Sequence, residues 1–355
     1  MADYLTRLRK LEGAVNPEGD DPLLHCLQTP SPGVNWAFAV PGHGVPFGYT
    51  AYLYGPPKGG KSVICNAIVG QLHKDDPEAI AIYYNTELRG AIQQSPAQHK
   101  IWGIDTNRLV IFDVNQPELI FDKIETDIAA LCQEGAKIKL IVIDSTKGIQ
   151  GRRAMNATTV LTQQIGDEAA TVQDGLKRIT PTIRKHGIAT ILTTHIRAEL
   201  DQREQMRHKT IKMASAWAAK HMAEFFLYIE PNQSKEGRTS LLDEEFTDPE
   251  TKDFMDKAQK TGHKIRVCVQ ESTFGVSGRT AEFTLDYNKG IINTYEEIFL
   301  LGKNTGIIEK PNNITYKYKD RTWKGLSNCL ISIRDESELA QSILRDVFAK
   351  DFKQV

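Results

Sequence analysis

The sequence predicts an α/β fold with a mostly parallel central sheet, and three observations support this prediction. From residue 50 onward, short β-branched and aromatic runs alternate with segments of helical periodicity. A glycine-rich loop directly follows the first of these runs. Several of the runs end in a polar residue, as strands do at the ligand-binding edge of an open parallel sheet.

Six runs are expected to form the parallel strands, with right-handed crossovers between them. They are residues 50–54, 79–84, 109–112, 138–143, 188–194 and 225–229. Two later runs, 264–269 and 281–287, are separated by Gly275 and Gly278 and predict an antiparallel pair at the edge of the sheet.

The chain of 355 residues is 40% hydrophobic and 25% charged, which is enough apolar material for a core and excludes a disordered chain. Its length favours about two domains, or one large domain with small appendages. We expect an N-terminal helix and arm over 1–35, a large α/β core over 36–292, and a small C-terminal α/β lobe over 293–355. An amphipathic helix is predicted over residues 4–15, either as a detachable arm or as a cap docked on its own chain.

The net charge of −1 excludes a global basic field, so any contact with nucleic acid must be local. No apolar stretch approaches the ~20 residues of a membrane-spanning helix, and the first residues lack the apolar centre of a signal peptide. We therefore expect a cytoplasmic protein without a membrane partner. The five cysteines occur singly, which indicates buried free thiols rather than disulfides or a zinc site.

Residues 55–62 match the phosphate-loop pattern Gly-x-x-x-x-Gly-Lys-Ser between a strand and a helix. In such a loop, backbone N–H groups point at phosphate oxygens, the lysine reaches the β- and γ-phosphates, and the serine hydroxyl ligates Mg²⁺. The pattern therefore predicts binding of ATP and Mg²⁺. The expected nucleotide contacts are Gly55, Pro56, Pro57, Lys58, Gly59, Gly60, Lys61, Ser62 and Val63.

Three strands end in side chains that suit ATP hydrolysis. Asp144 follows the run 138–143 and is predicted, with Ser62, to hold Mg²⁺ through water. Glu87 is predicted to polarise the attacking water and His195 to contact the γ-phosphate, so that both join Lys61 as catalytic residues. Each could instead be a cap or rim residue, but all three should face one crevice.

Short strings along almost the whole chain match, in order, those of one known family. They are Val34–Phe38, Gly44–Gly48, Asn85–Glu87, Trp102–Asp105, Asp144-Ser145, Gln164–Asp167, His195–Arg197, Ala281–Phe283 and Tyr287–Ile291. The chain resembles the RecA-type recombinases, and most closely the UvsX recombinases of tailed bacteriophages. The resemblance implies a RecA-like P-loop ATPase core that forms a helical filament on single-stranded DNA and pairs it with homologous duplex DNA. Tyr287 would stack on the adenine of a neighbouring subunit.

The resemblance places two DNA-binding loops after the strands that end at Asp144 and His195. Both segments carry cations that can follow a phosphate backbone, although either alone could be an ordinary solvated loop. The expected DNA contacts are Arg152, Arg153, Arg197, Arg203, Arg207, Lys209 and Lys212. Because these loops follow strands that end at the ATP site, the state of the nucleotide could order them.

The chain also departs from the family. The family's two lysines that reach a neighbour's ATP should fall near 270–273, where this chain has Gln-Glu-Ser-Thr. Either Arg279, Arg266 or Lys264 supplies that charge, or bound cations do, or hydrolysis at the interface is weak. For assembly, residues 4–15, together with Thr29–Val34 as an added edge strand, are the expected donor to the next subunit.

Two other functions share these features. One is a hexameric motor on the same core, similar to a replicative helicase, which would translocate along DNA. The other is an assembly protein switched by ATP. A recombinase should form helical filaments on single strands, whereas a motor should form closed rings.

Overall fold

The computed structural model describes residues 4, 6–7, 21–88, 95–151, 167–198, 211–213, 222–232 and 262–352. The strands are β1 (Cys26–Leu27), β2 (Val45–Pro46), β3 (Thr50–Gly55), β4 (Ile80–Asn85), β5 (Leu109–Phe112), β6 (Ile138–Asp144), β7 (Ala189–Ala198), β8 (Ile211–Met213), β9 (Phe225–Pro231), β10 (Gly262–Ser272), β11 (Thr280–Asp286), β12 (Gly290–Ile292), β13 (Glu309–Asn312), β14 (Thr315–Tyr318) and β15 (Arg321–Lys324). The α-helices are α1 (Pro32–Ala37), α2 (Lys61–Asp75), α3 (Pro96–Trp102), α4 (Ala129–Gln133), α5 (Asp167–His186), α6 (Thr294–Asn304), α7 (Leu326–Asp335) and α8 (Ser337–Phe352). π-Helical turns at Glu118–Asp122 and Ile124–Ile128 precede α4.

The large sheet of the described chain has the order β12-β11-β10-β9-β3-β7-β6-β4-β5, and β8 pairs with β7. The pairs of β3 with β7 and β9, and of β6 with β4 and β7, are parallel. β10 pairs antiparallel with β9 and β11. The α/β fold, the six predicted strands and the antiparallel edge pair are therefore confirmed, with some boundaries moved by a few residues.

Two apolar clusters cover the two faces of this sheet because successive strand residues alternate between faces. On β3, Ala51 and Leu53 join one cluster, whereas Tyr52 and Tyr54 join the other. Helices cover both faces, as expected for strands buried on both sides. Because both faces of the sheet are covered, a site can form only at the strand ends, which carry the polar residues.

The C-terminal residues from α6 onward form a lobe with its own apolar cluster around Phe299, Trp323 and Ile343. In it, the antiparallel strands β13, β14 and β15 pack against helices. This agrees with the small α/β lobe expected there. The division of the chain into three domains stays a prediction.

One prediction in the N-terminal segment is wrong. Residues 29–34, expected to be an edge strand, instead lead into helix α1 at Pro32. The Ser31 hydroxyl caps this helix by accepting a hydrogen bond from the Val34 N–H at 3.1 Å, and Pro32 suits a first helical turn. The predicted helix over 4–15 lies mostly outside the described residues, of which 4, 6 and 7 are helical.

Two further expectations from composition can be compared with the structure. Among the described helices, none is long and apolar enough to cross a membrane. All five cysteines are free thiols, but Cys26, Cys132 and Cys268 are only partly buried, so the expectation of five buried thiols is wrong for these three.

Candidate nucleotide-binding site

The glycine-rich loop connects the end of β3 to the start of α2, and its glycines are needed for its shape. A Cβ atom on Gly55 would lie 2.0 Å from the carbonyl oxygen of Ile229 on β9. Gly60 precedes the helix with a φ of +98°, a conformation that residues with side chains rarely adopt. The loop can therefore curl against the sheet and present its backbone N–H groups at the N-terminus of α2.

Lys61 is folded back into this loop. Its side chain is buried, and its ammonium group donates hydrogen bonds to the carbonyl oxygens of Gly55 at 3.1 Å and Pro56 at 2.8 Å. Burial lowers the pKa of Lys61, while the carboxylates of Asp144 and Glu87 act in the opposite direction. A buried ammonium group whose described partners are backbone carbonyls can turn towards a more negative acceptor such as a phosphate.

Asp144 lies at the end of β6, next to the loop. One of its carboxylate oxygens, Oδ2, accepts hydrogen bonds from the Ser62 hydroxyl at 2.7 Å and the Tyr83 hydroxyl at 2.6 Å. The other, Oδ1, accepts one from the Thr193 hydroxyl. The structure therefore brings the two predicted metal ligands, Ser62 and Asp144, together. A hydroxyl and a carboxylate oxygen are hard oxygen donors of the kind that Mg²⁺ prefers, so this pair fits the implied ion.

Glu87, Ser145 and His195 form a second group beside the first. The Ser145 hydroxyl donates to Glu87 Oε1 at 2.6 Å, and His195 Nε2 lies 2.9 Å from the same oxygen. The ends of β4, β6 and β7 meet here because these strands are parallel neighbours in the sheet. Of the three polar residues predicted to share a crevice, Glu87 and His195 meet although they are 108 positions apart in the chain. Asp144 lies beside them, in contact with the Ser62 hydroxyl, and His195 is within β7, three residues before its end.

A cavity of about 390 Å³ opens beside Glu87 and His195. Its lining also includes Asn115 and Lys147, and the ammonium group of Lys147 lies 3.6 Å from the carboxylate of Glu168 on α5. Sequence reasoning assigned no site role to Asn115 or Lys147. The position of Lys147, three residues after Asp144, is the signal that could have assigned it to this site.

Tyr83 and Thr193 were also missed as functional residues. Both lie within buried strands and read as ordinary core positions in the sequence. Only the pairing of β4 and β7 with β6 in the sheet brings their hydroxyl groups to Asp144.

Tyr287 lies on the turn after β11 and is separated from β3 in the sheet by β10 and β9. Its side chain is 44% exposed, and its hydroxyl lies 3.0 Å from His263 Nδ1. The fold does not bring Tyr287 to the loop of its own chain, and its expected role across a subunit interface stays a prediction.

Most of the predicted DNA contacts cannot be compared with the structure. Arg152, Arg153, Arg203, Arg207 and Lys209 lie outside the described residues. The backbones of Arg197 and Lys212 are paired with each other where β7 meets β8, directly after His195.

Two of the three cations considered for the missing lysines have partners within their own chain. Arg279 donates to Asp351 at 2.9 Å and to the Trp36 carbonyl oxygen at 3.1 Å. Arg266 bridges Glu282 at 2.8 Å and Glu230 at 3.7 Å. To reach a neighbouring subunit, either side chain would first have to leave these contacts.

The glycine-rich loop, the carboxylates at the strand ends and the parallel sheet define a P-loop α/β protein. Comparison with known proteins then gives the family: the RecA N-terminal domain family matches residues 12–210. Protein RecA of Nitratidesulfovibrio vulgaris (strain DP4) is 25% identical over 317 residues, which cover 89% of this chain and 79% of that protein. Protein RecA of Oleidesulfovibrio alaskensis is 22% identical over 331 residues, covering 93% of this chain and 85% of that protein. Protein RecA of Gloeobacter violaceus is 23% identical over 334 residues, covering 94% and 80%.

This chain belongs to the RecA family. It is a RecA-like recombinase by family, with the α/β core of that family and an additional small C-terminal sheet.

Proposed function

We propose that this protein is an ATP-dependent recombinase of the UvsX type. It assembles as a helical filament on single-stranded DNA, pairs that strand with homologous duplex DNA, and hydrolyses ATP in response to DNA. The main support is the convergence of the ends of β3, β4, β6 and β7 on the phosphate loop, with Ser62 and Asp144 in contact at 2.7 Å.

We assign the contacts with the phosphates to residues 55–63, whose backbone N–H groups, other than at Pro56 and Pro57, which have none, can donate to phosphate oxygens. Lys61 would turn from the loop carbonyls to the β- and γ-phosphates. Ser62 and Asp144 would hold Mg²⁺, which would supply positive charge to neutralise the phosphate oxygens. Tyr83 and Thr193 keep the Asp144 carboxylate in place by donating hydrogen bonds to it.

Glu87 is the proposed base that orients and deprotonates the attacking water. Ser145 and His195 hold Glu87 by hydrogen bonds to Oε1. The other ring nitrogen of His195, Nδ1, is buried without a hydrogen-bond partner among the described residues. We assign to His195 the contact with the γ-phosphate. Its ring already contacts the proposed base, Glu87, so a shift of the ring towards a bound phosphate would also move β7, the strand on which His195 lies.

DNA binding is assigned to the segments that follow Asp144 and His195. The proposed backbone contacts are Arg152, Arg153, Arg197, Arg203, Arg207, Lys209 and Lys212. Because β7 continues from His195 into this second segment, a shift of the imidazole on ATP binding changes the start of the DNA-binding segment.

Filament formation requires an edge that accepts a neighbour. In the described chain β5 is the last strand of the large sheet, and its Val110 is 43% exposed. Such an edge can pair with an added strand from another subunit. The donor is assigned to residues 4–15 rather than to 29–34, because helix α1 begins at Pro32. On this proposal the protein acts in the cytosol, that of the bacterial host if a phage encodes it.

The decisive experiment is electron microscopy of the protein with single-stranded DNA and a non-hydrolysable ATP analogue, combined with an ATPase assay with and without DNA. We expect open helical filaments and hydrolysis that single-stranded DNA accelerates. Closed rings would favour a motor instead. ATP turnover that is indifferent to single-stranded DNA would reject both functions and favour an ATP-switched assembly protein.

A further inference from the structure

We propose that His263 is a positioning residue for the nucleotide base: it holds the ring of Tyr287 in the orientation that stacks on the adenine bound by a neighbouring subunit. This inference rests on the proposed function and on the role at a neighbour's ATP site that the resemblance to RecA-type recombinases implies for Tyr287.

The backbone around Tyr287 is fixed by its own turn. Asp286 ends β11, and its Oδ1 accepts hydrogen bonds from the backbone N–H groups of Asn288 at 2.8 Å and Lys289 at 3.0 Å. This Asx-type turn sets where the Cα of Tyr287 lies. It does not set the direction of the side chain.

The side chain of Tyr287 is 44% exposed, so core packing leaves much of its ring free. His263 Nδ1 lies 3.0 Å from the phenolic oxygen, and the two ring centroids are 5.7 Å apart at 56°. The pair therefore has both a hydrogen bond and a tilted aromatic contact.

The sheet register explains why this contact forms. His263 pairs with Leu285 across β10 and β11, which makes Tyr287 its diagonal neighbour on the same side. The preceding residue is Gly262, where a Cβ atom would lie 2.1 Å from the Leu285 carbonyl oxygen. The close approach of the two strands at Gly262 brings His263 within reach of the tyrosine.

If the half-exposed ring of Tyr287 became ordered only when ATP binds, the entropy lost by the side chain would weaken the contact between the ring and the adenine. By holding the ring before the nucleotide arrives, His263 removes part of that loss. The contact is remote from the reacting phosphate and is the same in the ground state and the transition state. Its loss should therefore raise KM and leave kcat nearly unchanged.

The test measures KM and kcat for ATP in protein assembled on single-stranded DNA, for His263→Ala, Tyr287→Phe and the double variant. Each single change is expected to raise KM by about two- to tenfold, the range for fixing one side chain. The KM of the double variant should be no higher than the higher of the two single-variant KM values, because both changes remove the same hydrogen bond. His263→Asn is the matched control, since its amide can still bond the phenol, and it should keep KM closer to that of the unchanged protein.

Competition by tripolyphosphate, which has no base, separates positioning from a general defect. The inhibition constant of tripolyphosphate should be the same for His263→Ala and for the unchanged protein. A higher inhibition constant for the variant would overturn the inference, as would additive effects on KM in the double variant.

Tyr287→Ala distinguishes the inference from the proposed function. If Tyr287→Ala raises KM but His263→Ala does not, the role of His263 is rejected and base stacking stands. If Tyr287→Ala leaves KM unchanged, the stacking across the interface is rejected as well.

Discussion

Replacing Glu297 by glutamine should abolish a pH dependence of stability that the buried carboxyl group imposes on the protein. Glu297 lies on α6 at the start of the C-terminal lobe and is 5% exposed. Its Oε2 accepts hydrogen bonds from the Ser31 hydroxyl and from the Gly33 N–H at 3.0 Å, and its Oε1 has no partner among the described residues. This carboxyl group thus joins the start of α1 to the C-terminal lobe.

Burial raises the pKa of Glu297 from 4.5 to about 8; the hydrogen bonds from Ser31 and Gly33 act in the opposite direction, and the nearby Glu296 adds to the rise. The folded protein therefore binds a proton that the unfolded chain releases above pH 4.5. The contribution of this group to the free energy of unfolding is largest below that pH and falls as pH rises towards 8, by about 1.4 kcal/mol per pH unit. The full loss is on the order of 5 kcal/mol, of which about 3 kcal/mol is already reached at pH 7.

A neutral amide cannot lose a proton in this range, and its Oε1 can still accept from Ser31 and Gly33. The free energy of unfolding of Glu297→Gln, measured by urea denaturation from pH 5 to 9, should therefore fall less with pH than that of the unchanged protein. Glu309→Gln, on the exposed strand β13, is the matched control and should follow the unchanged protein. Parallel pH curves for Glu297→Gln and the unchanged protein would refute a protonated carboxyl group at this contact.

Three further predictions concern the nucleotide site. Lys61→Ala should reduce kcat for ATP by on the order of a hundredfold or more, because it removes a charge from the transition state, and an unchanged kcat would reject the assignment. Glu87→Gln should retain ATP in an equilibrium binding assay but slow single-turnover hydrolysis by roughly a hundredfold or more, the usual contribution of a general base; normal turnover would assign the base to another residue. Gly55→Ala should lower the free energy of unfolding by about 3 kcal/mol, because its Cβ would lie 2.0 Å from the Ile229 carbonyl oxygen, and an unchanged denaturation midpoint would contradict the close approach of β3 and β9.

Features that depend on local chemistry could be predicted from the order of the residues alone. The strands could be located because their apolar runs are short and bounded, and the phosphate loop because its glycines and lysine occur in a fixed local order. Glu87, Asp144 and His195 could be proposed because each directly follows an apolar run, and the carboxyl ends of parallel strands share one edge of a sheet.

Which of these elements meet depends on the packing of the folded chain. The order of the strands places Tyr83 and Thr193 on Asp144, although nothing near them in the sequence marks them as polar partners. Residues 29–34 looked extended, yet Ser31 caps a helix and its hydroxyl bonds Glu297, 266 positions away. Contacts of this kind join segments that are distant in the chain. No short stretch of sequence contains both partners, so the contact cannot be predicted from local patterns. For that reason the pattern of residues gave the parts of the site, and only the folded chain gave the network of hydrogen bonds that holds them.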